Sequence, residues 1–232
     1  MLHRVAVAVL LAIPLVACAE EKKNTAVEPA KKNPERHEGF LKDIKAKNGK
    51  IDIVFYGDSI TDGWRGNGKD AFKEHFEPLH TINLGIGGDR TQHLIWRMQN
   101  GELDGYTPKV MMLMIGTNNL GSNTNEEIAE GIKAVVAEFH KKHSDAKVLL
   151  LGIFPRGQSA TDKNRDRIKK INATIAKMDD GKKIKYLDIG EKFLEPDGSL
   201  SKEIMYDFLH LTKKGYGIWA DAVKPVLVEM MK

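Results

Sequence analysis

Ser59 follows an apolar run, Ile51 to Tyr56, that stops at Gly57. Asp207 and His210 stand three residues apart near the other end of the chain. A serine hydroxyl is a poor nucleophile until a base takes its proton, and imidazole is the usual base near neutral pH. A carboxylate that accepts from the second ring nitrogen holds the imidazole in one tautomer, with the nitrogen facing the serine free. In one helical turn, the i, i+3 spacing puts Asp207 beside His210. Alone, Asp-x-x-His also describes a surface turn with a chance histidine. The other histidines lack this setting; His140 and His143, split by two lysines, read as a solvated helix face.

Attack on a carbonyl also needs hydrogen-bond donors for the oxyanion that develops. Gly88, in Gly85-Ile86-Gly87-Gly88-Asp89-Arg90, can offer a backbone N–H because no side chain blocks close approach. Asn118, in Gly116-Thr117-Asn118-Asn119, can offer its side-chain amide. The N–H of Ser59 is the third candidate. Each has a plainer reading: the glycines as a tight strand-to-helix turn, Asn118 as a loop or cap residue. A dinucleotide fingerprint fails, because Arg90 stands where the third glycine belongs. P-loop and metalloprotease signatures are absent, as is a Gly-x-Ser-x-Gly elbow at Ser59. Arg65 and Trp64 read as cover for the loop.

These residues need elements to hold them. Strands are expected at Ile51–Tyr56, Thr81–Leu84, Val110–Ile115, Val148–Ile153 and Ile184–Ile189, several of them near-continuous apolar runs. Helical spacing lies between: Ala71, Phe72 and Phe76; Leu94, Ile95 and Met98, capped by Asp89 or Thr91; Ile168, Ile171, Ile175 and Met178. Thr124-Asn125-Glu126-Glu127 reads as a capping box ahead of Ile128, Ile132, Val135 and Phe139. Tyr216, Trp219, Val223, Val226 and Met230 mark the last helix, with Pro225 expected to kink it. Alternating strands and helices indicate one α/β domain with a doubly wound parallel sheet. The loops leaving its first three strands then share one rim, where ligands bind in such sheets.

The whole chain bounds the reading. It has 232 residues, 41% of them hydrophobic, and a net charge of +4. No dense Lys/Arg patch interleaved with aromatics suggests a nucleic-acid partner. One cysteine, Cys18, excludes an internal disulfide and a Cys-based zinc site. Residues 1–17 look like a secretory leader: His3 and Arg4 lead an apolar stretch, Val5 to Val16, too short for a comfortable membrane span. Leu15-Val16-Ala17-Cys18 resembles the lipobox of bacterial lipoproteins, which implies lipidation of Cys18, and Ala19 after it implies the outer membrane. Residues 18–38, rich in Lys, Glu, Asn and Pro, are expected to form a flexible tether, with the folded domain spanning 39–232. Phe40, Leu41 and Ile44 share one helical face, so a first helix starts near Pro34.

Together the four blocks resemble the SGNH, or GDSL, hydrolase superfamily, whose Ser, Gly, Asn and His are matched by Ser59, Gly88, Asn118 and His210. Asn83 to Leu103, Pro108-Lys109-Val110, Gly116 to Asn119, Pro155-Arg156-Gly157 and Asp207 to Tyr216 are similar to the catalytic subunits of platelet-activating factor acetylhydrolase Ib. The resemblance implies a flavodoxin-like, three-layer α/β/α fold with a five-stranded sheet, no metal or cofactor, and removal of short acyl groups, notably acetyl. It implies Ser59 as nucleophile, Asp207 and His210 as its triad partners, and Ser59, Gly88 and Asn118 as oxyanion donors. The segment Ile60 to Gly68 and the bacterial leader depart from that pattern, which leaves the leaving group open. Ile60, Thr117 and Leu209 adjoin the catalytic positions and could wall a short acyl pocket; they could equally be core. The expectation is therefore a lipid-anchored serine esterase of the bacterial envelope, monomeric or dimeric, acting on acetylated carbohydrate. A lysophospholipase, a thioesterase and a silent carbohydrate-binding lipoprotein are the alternatives.

Overall fold

The computed structural model describes residues 23–232. The expected leader and Cys18 lie outside the described residues. Twelve elements follow in chain order: α1 (Pro34–Ala46), β1 (Ile53–Gly57), α2 (Ser59–Asp62), α3 (Lys69–His75), β2 (Thr81–Asn83), α4 (Thr91–Arg97), β3 (Val110–Met114), α5 (Asn125–Lys142), β4 (Lys147–Leu151), α6 (Lys163–Ile175), β5 (Ile184–Leu187) and α7 (Lys213–Met230). All five strands run parallel in the order β2-β1-β3-β4-β5. Phe55, Met112 and Leu149 stand in register across the three central strands.

The strands alternate between two apolar layers, as a period of two requires. Val54, Tyr56, Met111 and Leu113 face a layer built with Phe40, Leu94, Ile132, Phe139 and Ile171, from α1, α4, α5 and α6. Ile53, Phe55, Met112 and Met114 face the other, built with Phe76, Trp219, Val223 and Leu227. Helices cover both faces, giving the expected three-layer α/β fold. The expected strand spans hold to within two residues. The overruns are explained by burial: Ile115, Ile153 and Ile189 remain buried after the ladder ends, so hydrophobicity alone could not mark the last paired residue.

The capping box forms as expected: Thr124 Oγ1 accepts from the Glu127 N–H at 3.2 Å and Glu127 Oε2 accepts from the Thr124 N–H at 2.9 Å. The α4 cap differs from expectation. Arg90 occupies the cap, and its N–H donates to His93 Nδ1 at 3.0 Å. Asp89 is buried instead, facing Arg97. α7 runs through Pro225.

The expected tether, residues 18–38, is corrected over its described part. Ala26 is fully buried, Thr91 Oγ1 donates to the Ala26 carbonyl at 2.7 Å, and the Ala30 N–H donates to the Gln92 carbonyl at 3.1 Å. The strap beds into α4 and α5, where Gly131 leaves it room: a Cβ there would lie 2.9 Å from the Ala26 carbonyl oxygen. α1 then begins at Pro34, and His37 is buried. Polar composition misled here because backbone hydrogen bonding, not apolar area, fastens the strap.

Candidate active site

β1 ends at Gly57 and the chain turns at once into α2. Asp58 caps this short helix, its Oδ1 accepting from the Ile60 N–H at 3.0 Å, and Ser59 is the first helical residue. Ser59 thus stands on the sheet rim at the carboxyl end of a central strand. The turn before α7 brings the other two groups to it. Ser59 Oγ lies 2.9 Å from His210 Nε2, and His210 Nδ1 lies 2.7 Å from Asp207 Oδ2. With Nδ1–H donating to the carboxylate, Nε2 is left to accept the serine proton. Asp207 Oδ1 also accepts from the backbone N–H groups of Leu209 and His210, at 3.1 and 2.7 Å. Burial works against its charge, but the hydrogen bonds from His210 outweigh it and hold the carboxyl below the usual range. Closing this loop takes a left-handed residue: Phe208 has φ 61°, and its carbonyl accepts from the Gly157 N–H at 2.9 Å.

The glycine loop after β2 lies against α2. A Cβ on Gly85 would fall 2.4 Å from the Asp62 nitrogen, so only glycine permits this approach. A Cβ built on Gly87 would lie 4.0 Å from the Ser59 Cβ, which sets the loop beside the hydroxyl. Gly88 has φ +73°, and its N–H has no partner among the described residues. Asn83 pins the loop from below: its Oδ1 accepts from the Gly85 N–H and its Nδ2 donates to the Thr61 carbonyl. Arg65, expected only as cover, donates to the carbonyls of Asn83 and Gly85 and pairs with Asp62, while Trp64 is buried.

Asn118 stands at the same rim, and its amide donates to the Asp89 carbonyl at 2.9 Å. One N–H is thereby used to fix the side chain and the second remains for an oxyanion. Sequence reasoning missed the neighbour, Asn119. It is fully buried, donates to Thr91, Gln92 and Asn123, and accepts from the Thr91 N–H. Nothing in a single sequence separates two adjacent asparagines, one facing the rim and one the interior.

Of the residues expected to wall an acyl pocket, Ile60 is buried in the layer holding Trp64 and Trp219, and Leu209 packs against the same layer. Thr117 is buried, its hydroxyl accepting from Arg156 at 3.1 Å. Tyr206, half-exposed, stacks on His210 with ring centroids 5.9 Å apart.

Three buried ionic groups support the rim. Arg97 donates to Asp89, to Glu102 and to the Leu84 carbonyl; Glu102 in turn meets His37 at 2.9 Å. Lys32, from the strap, reaches over this group: its Nζ donates to the Gly87 carbonyl at 3.3 Å and lies 3.9 Å from Asp89 Oδ1. Burial pushes the Asp89 carboxyl up to about 6, against the pull of Arg97 and Lys32. Asp58, fully buried with Oδ2 unpartnered, is pushed by burial up to about 7; its bond from Ile60 opposes the rise, as do the charges of His210 and Arg156. Burial and the neighbouring cations take His93 down to about 4, so it serves Arg90 as a neutral acceptor. Among the described residues no three His, Cys, Asp or Glu side chains gather as metal ligands, and no helix is long and apolar enough to cross a membrane.

With this geometry in hand, the relatives can be compared. The GDSL-like Lipase/Acylhydrolase family model matches residues 55–218, which includes all the rim residues above. Platelet-activating factor acetylhydrolase IB subunit alpha1 of Rattus norvegicus is 37% identical over 198 residues, covering 84% of this chain and 82% of that protein. The alpha2 subunit of Gallus gallus is 38% identical over 191 residues, covering 82% and 80%. Among solved structures, an acetyl xylan esterase, AlAXEase, superposes with a TM-score of 0.65 at 23% identity, covering 76% of this chain and 99% of its own. A GDSL-like lipase of Bacteroides thetaiotaomicron gives 0.66 at 22% identity, covering 83% and 97%. By sequence and by fold, the chain belongs to the GDSL-like lipase/acylhydrolase family and is an ester hydrolase.

Proposed function

We propose that the protein is a serine esterase that removes short acyl groups, acetyl foremost, from acetylated carbohydrate. The observation that carries this reading is the unbroken series Ser59 Oγ, His210 Nε2, His210 Nδ1, Asp207 Oδ2, with contacts of 2.9 and 2.7 Å. Ser59 attacks the ester carbonyl while His210 takes its proton. The tetrahedral oxyanion is met by the N–H groups of Ser59 and Gly88 and by the Asn118 amide. His210 then gives the proton to the leaving alcohol, and water, activated by the same imidazole, cleaves the acyl-enzyme. Of the residues expected to bound the acyl side, Leu209, part-exposed beside His210, is the one left to keep it short, since Ile60 and Thr117 are buried. The similarity to acetylhydrolase subunits supports acetyl as the group transferred, and that to an acetyl xylan esterase agrees with a sugar as the alcohol.

The same reading places the enzyme at the bacterial envelope on a lipid attached to Cys18, with the support resting on the leader and Leu15 to Cys18 alone. Two experiments check these two parts. Rates on acetyl, butyryl and octanoyl nitrophenyl esters, then on acetylated xylan, should fall with acyl length and vanish in Ser59→Ala; a preference for octanoyl would contradict the short-acyl reading. Metabolic labelling with an alkyne fatty acid should mark the wild type and not Cys18→Ser; equal labelling of both, or of neither, would contradict the anchor.

A further inference from the structure

Ser59 and His210 stand 151 residues apart in the chain, on different elements. Their contact therefore depends on how α2 is fastened to the turn before α7. That turn is open to water on one side: the side chains of His210 and Asp207 are 29% and 42% exposed. Burial fixes it only in part, and directional bonds must do the rest.

Two hydrogen bonds cross between the two segments. Tyr216, in the first turn of α7, donates its hydroxyl to the Ile60 carbonyl at 2.6 Å, one residue past Ser59. Asn67, in the loop between α2 and α3, donates its amide to the Leu211 carbonyl at 3.0 Å, one residue past His210. The turn itself leaves that carbonyl to be held. Met205 and Leu211 form an antiparallel bridge, closed by the Tyr206 N–H on the His210 carbonyl at 3.1 Å and the Thr212 N–H on the Ile204 carbonyl at 2.9 Å. The Leu211 carbonyl takes no part in either bond.

The loop is shaped around Tyr216. This residue is 2% exposed, with its ring centroid 4.6 Å from that of Trp64. Burial pushes its hydroxyl far above the ordinary range, so it stays protonated and donates. A Cβ on Gly63 would run into the Tyr216 oxygen, and one on Gly68 would lie 2.7 Å from its ring. Both glycines have ordinary φ, −62° and −87°, so close approach and not backbone freedom calls for glycine there. Both lie in Ile60 to Gly68, the segment that departs from the family pattern.

We propose that Tyr216 and Asn67 are positioning residues for the reaction, two ties that set the reach of His210 Nε2 to Ser59 Oγ. Each acts through Ser59 or His210. The inference rests on the serine-esterase reading above. In that reaction the imidazole takes the proton from Ser59 Oγ as the bond to the acyl carbon forms. It then gives the proton to the leaving oxygen as the old C–O bond breaks. A misplaced imidazole serves both steps badly, and the second most of all when the leaving oxygen is basic.

The experiment measures kcat/KM on phenyl acetate and on nitrophenyl acetate. Nitrophenolate leaves without a proton; phenolate leaves better with one. Tyr216→Phe should lose about 10- to 100-fold on phenyl acetate, the cost of a displacement of about 1 Å, and a smaller factor on nitrophenyl acetate. Asn67 is exposed, so its variants do not put folding at stake. Asn67→Ala and Asn67→Asp should lose about three- to tenfold, the worth of one hydrogen bond, again more on phenyl acetate. Asn67→Gln keeps the N–H and should recover the phenyl acetate rate. Equal losses on the two esters, or equal rates in Asn67→Asp and Asn67→Gln, would overturn the ties and leave the esterase standing, with Ser59→Ala inactive. Undiminished hydrolysis by Ser59→Ala would overturn both. Should Tyr216→Phe fail to fold, the Asn67 series decides alone.

Discussion

At the scale of single residues, the site divides into groups that react and groups that hold them. In the proposed mechanism Asp207 holds rather than reacts: its carboxylate, 2.7 Å from His210 Nδ1, favours the tautomer that leaves Nε2 free. Asp207→Asn should therefore fold normally and lose on the order of 10²–10⁴ in kcat, measured with nitrophenyl acetate. Lys32 is a holding group of a different kind. It faces Asp89, whose carboxyl ionises near 6. Below that pH Asp89 is neutral and the pair contributes nothing; as pH rises through 6 the attraction appears. Lys32→Gln loses the bond to the Gly87 carbonyl at any pH, and its deficit in stability should grow by about 0.5–1 kcal/mol more between pH 5 and pH 8, the range of a part-exposed pair. Denaturant melts at the two pH values read this out, and Lys32→Arg should restore the difference. The meeting of Ser59, His210 and Asp207, and the place of Gly88 and Asn118 at the same rim, were legible in the sequence, because the residue types proposed for a nucleophile, a base, an acid and oxyanion donors are few and stand in recognisable blocks. Lys32 and Arg156 were not, because a cation's partner depends on where distant loops meet.

At the scale of elements, the strand-to-helix junction after β1 carries a buried carboxyl. Asp58 both caps α2 and lies fully buried, and its carboxyl titrates near 7 rather than at its ordinary 3.8. The sign is that of a raised carboxyl. Below pH 4 it is neutral in both folded and unfolded chains, and its contribution is fully present. Between about 4 and 7 the unfolded chain ionises first, and stability is lost; above 7 the penalty is constant. Asp58→Asn keeps an equally good cap and removes the titration, so its stability relative to wild type should rise by a few kcal/mol between pH 4 and pH 8. Parallel melts across that range check it. The loop after β2 is constrained by space instead. Gly85→Ala must push against the backbone of Asp62 and should cost about 1–3 kcal/mol, with activity falling as the loop that bears Gly88 lifts from Ser59. Strands and long helices could be read from periodicity because packing enforces it over many residues. The cap at Arg90 and the left-handed Phe208 could not, since each answers to one particular hydrogen bond: a local one to His93 Nδ1 in the first case, a tertiary one from the Gly157 N–H in the second.

At the scale of the whole molecule, a five-stranded parallel sheet brings three loops to one rim, and the turn before α7 delivers His210 to Ser59 from across the chain. The strap that opens the described chain completes the same surface, since Lys32 bonds to the loop bearing Gly88. A chain beginning at Pro34 loses the Ala26 seat and Lys32 together and should melt several degrees below one beginning at Lys23. The reading of this strap as a loose tether shows where composition stops being informative: a few backbone hydrogen bonds to Thr91 and Gln92 outweigh its polar side chains. The account as a whole turns on one covalent bond. Acid quenching of the enzyme during turnover of an acetyl ester, followed by peptide mass analysis, should find one acetyl group on the peptide that contains Ser59 and none in Ser59→Ala. Acetyl on another residue, or undiminished hydrolysis by Ser59→Ala, would contradict it.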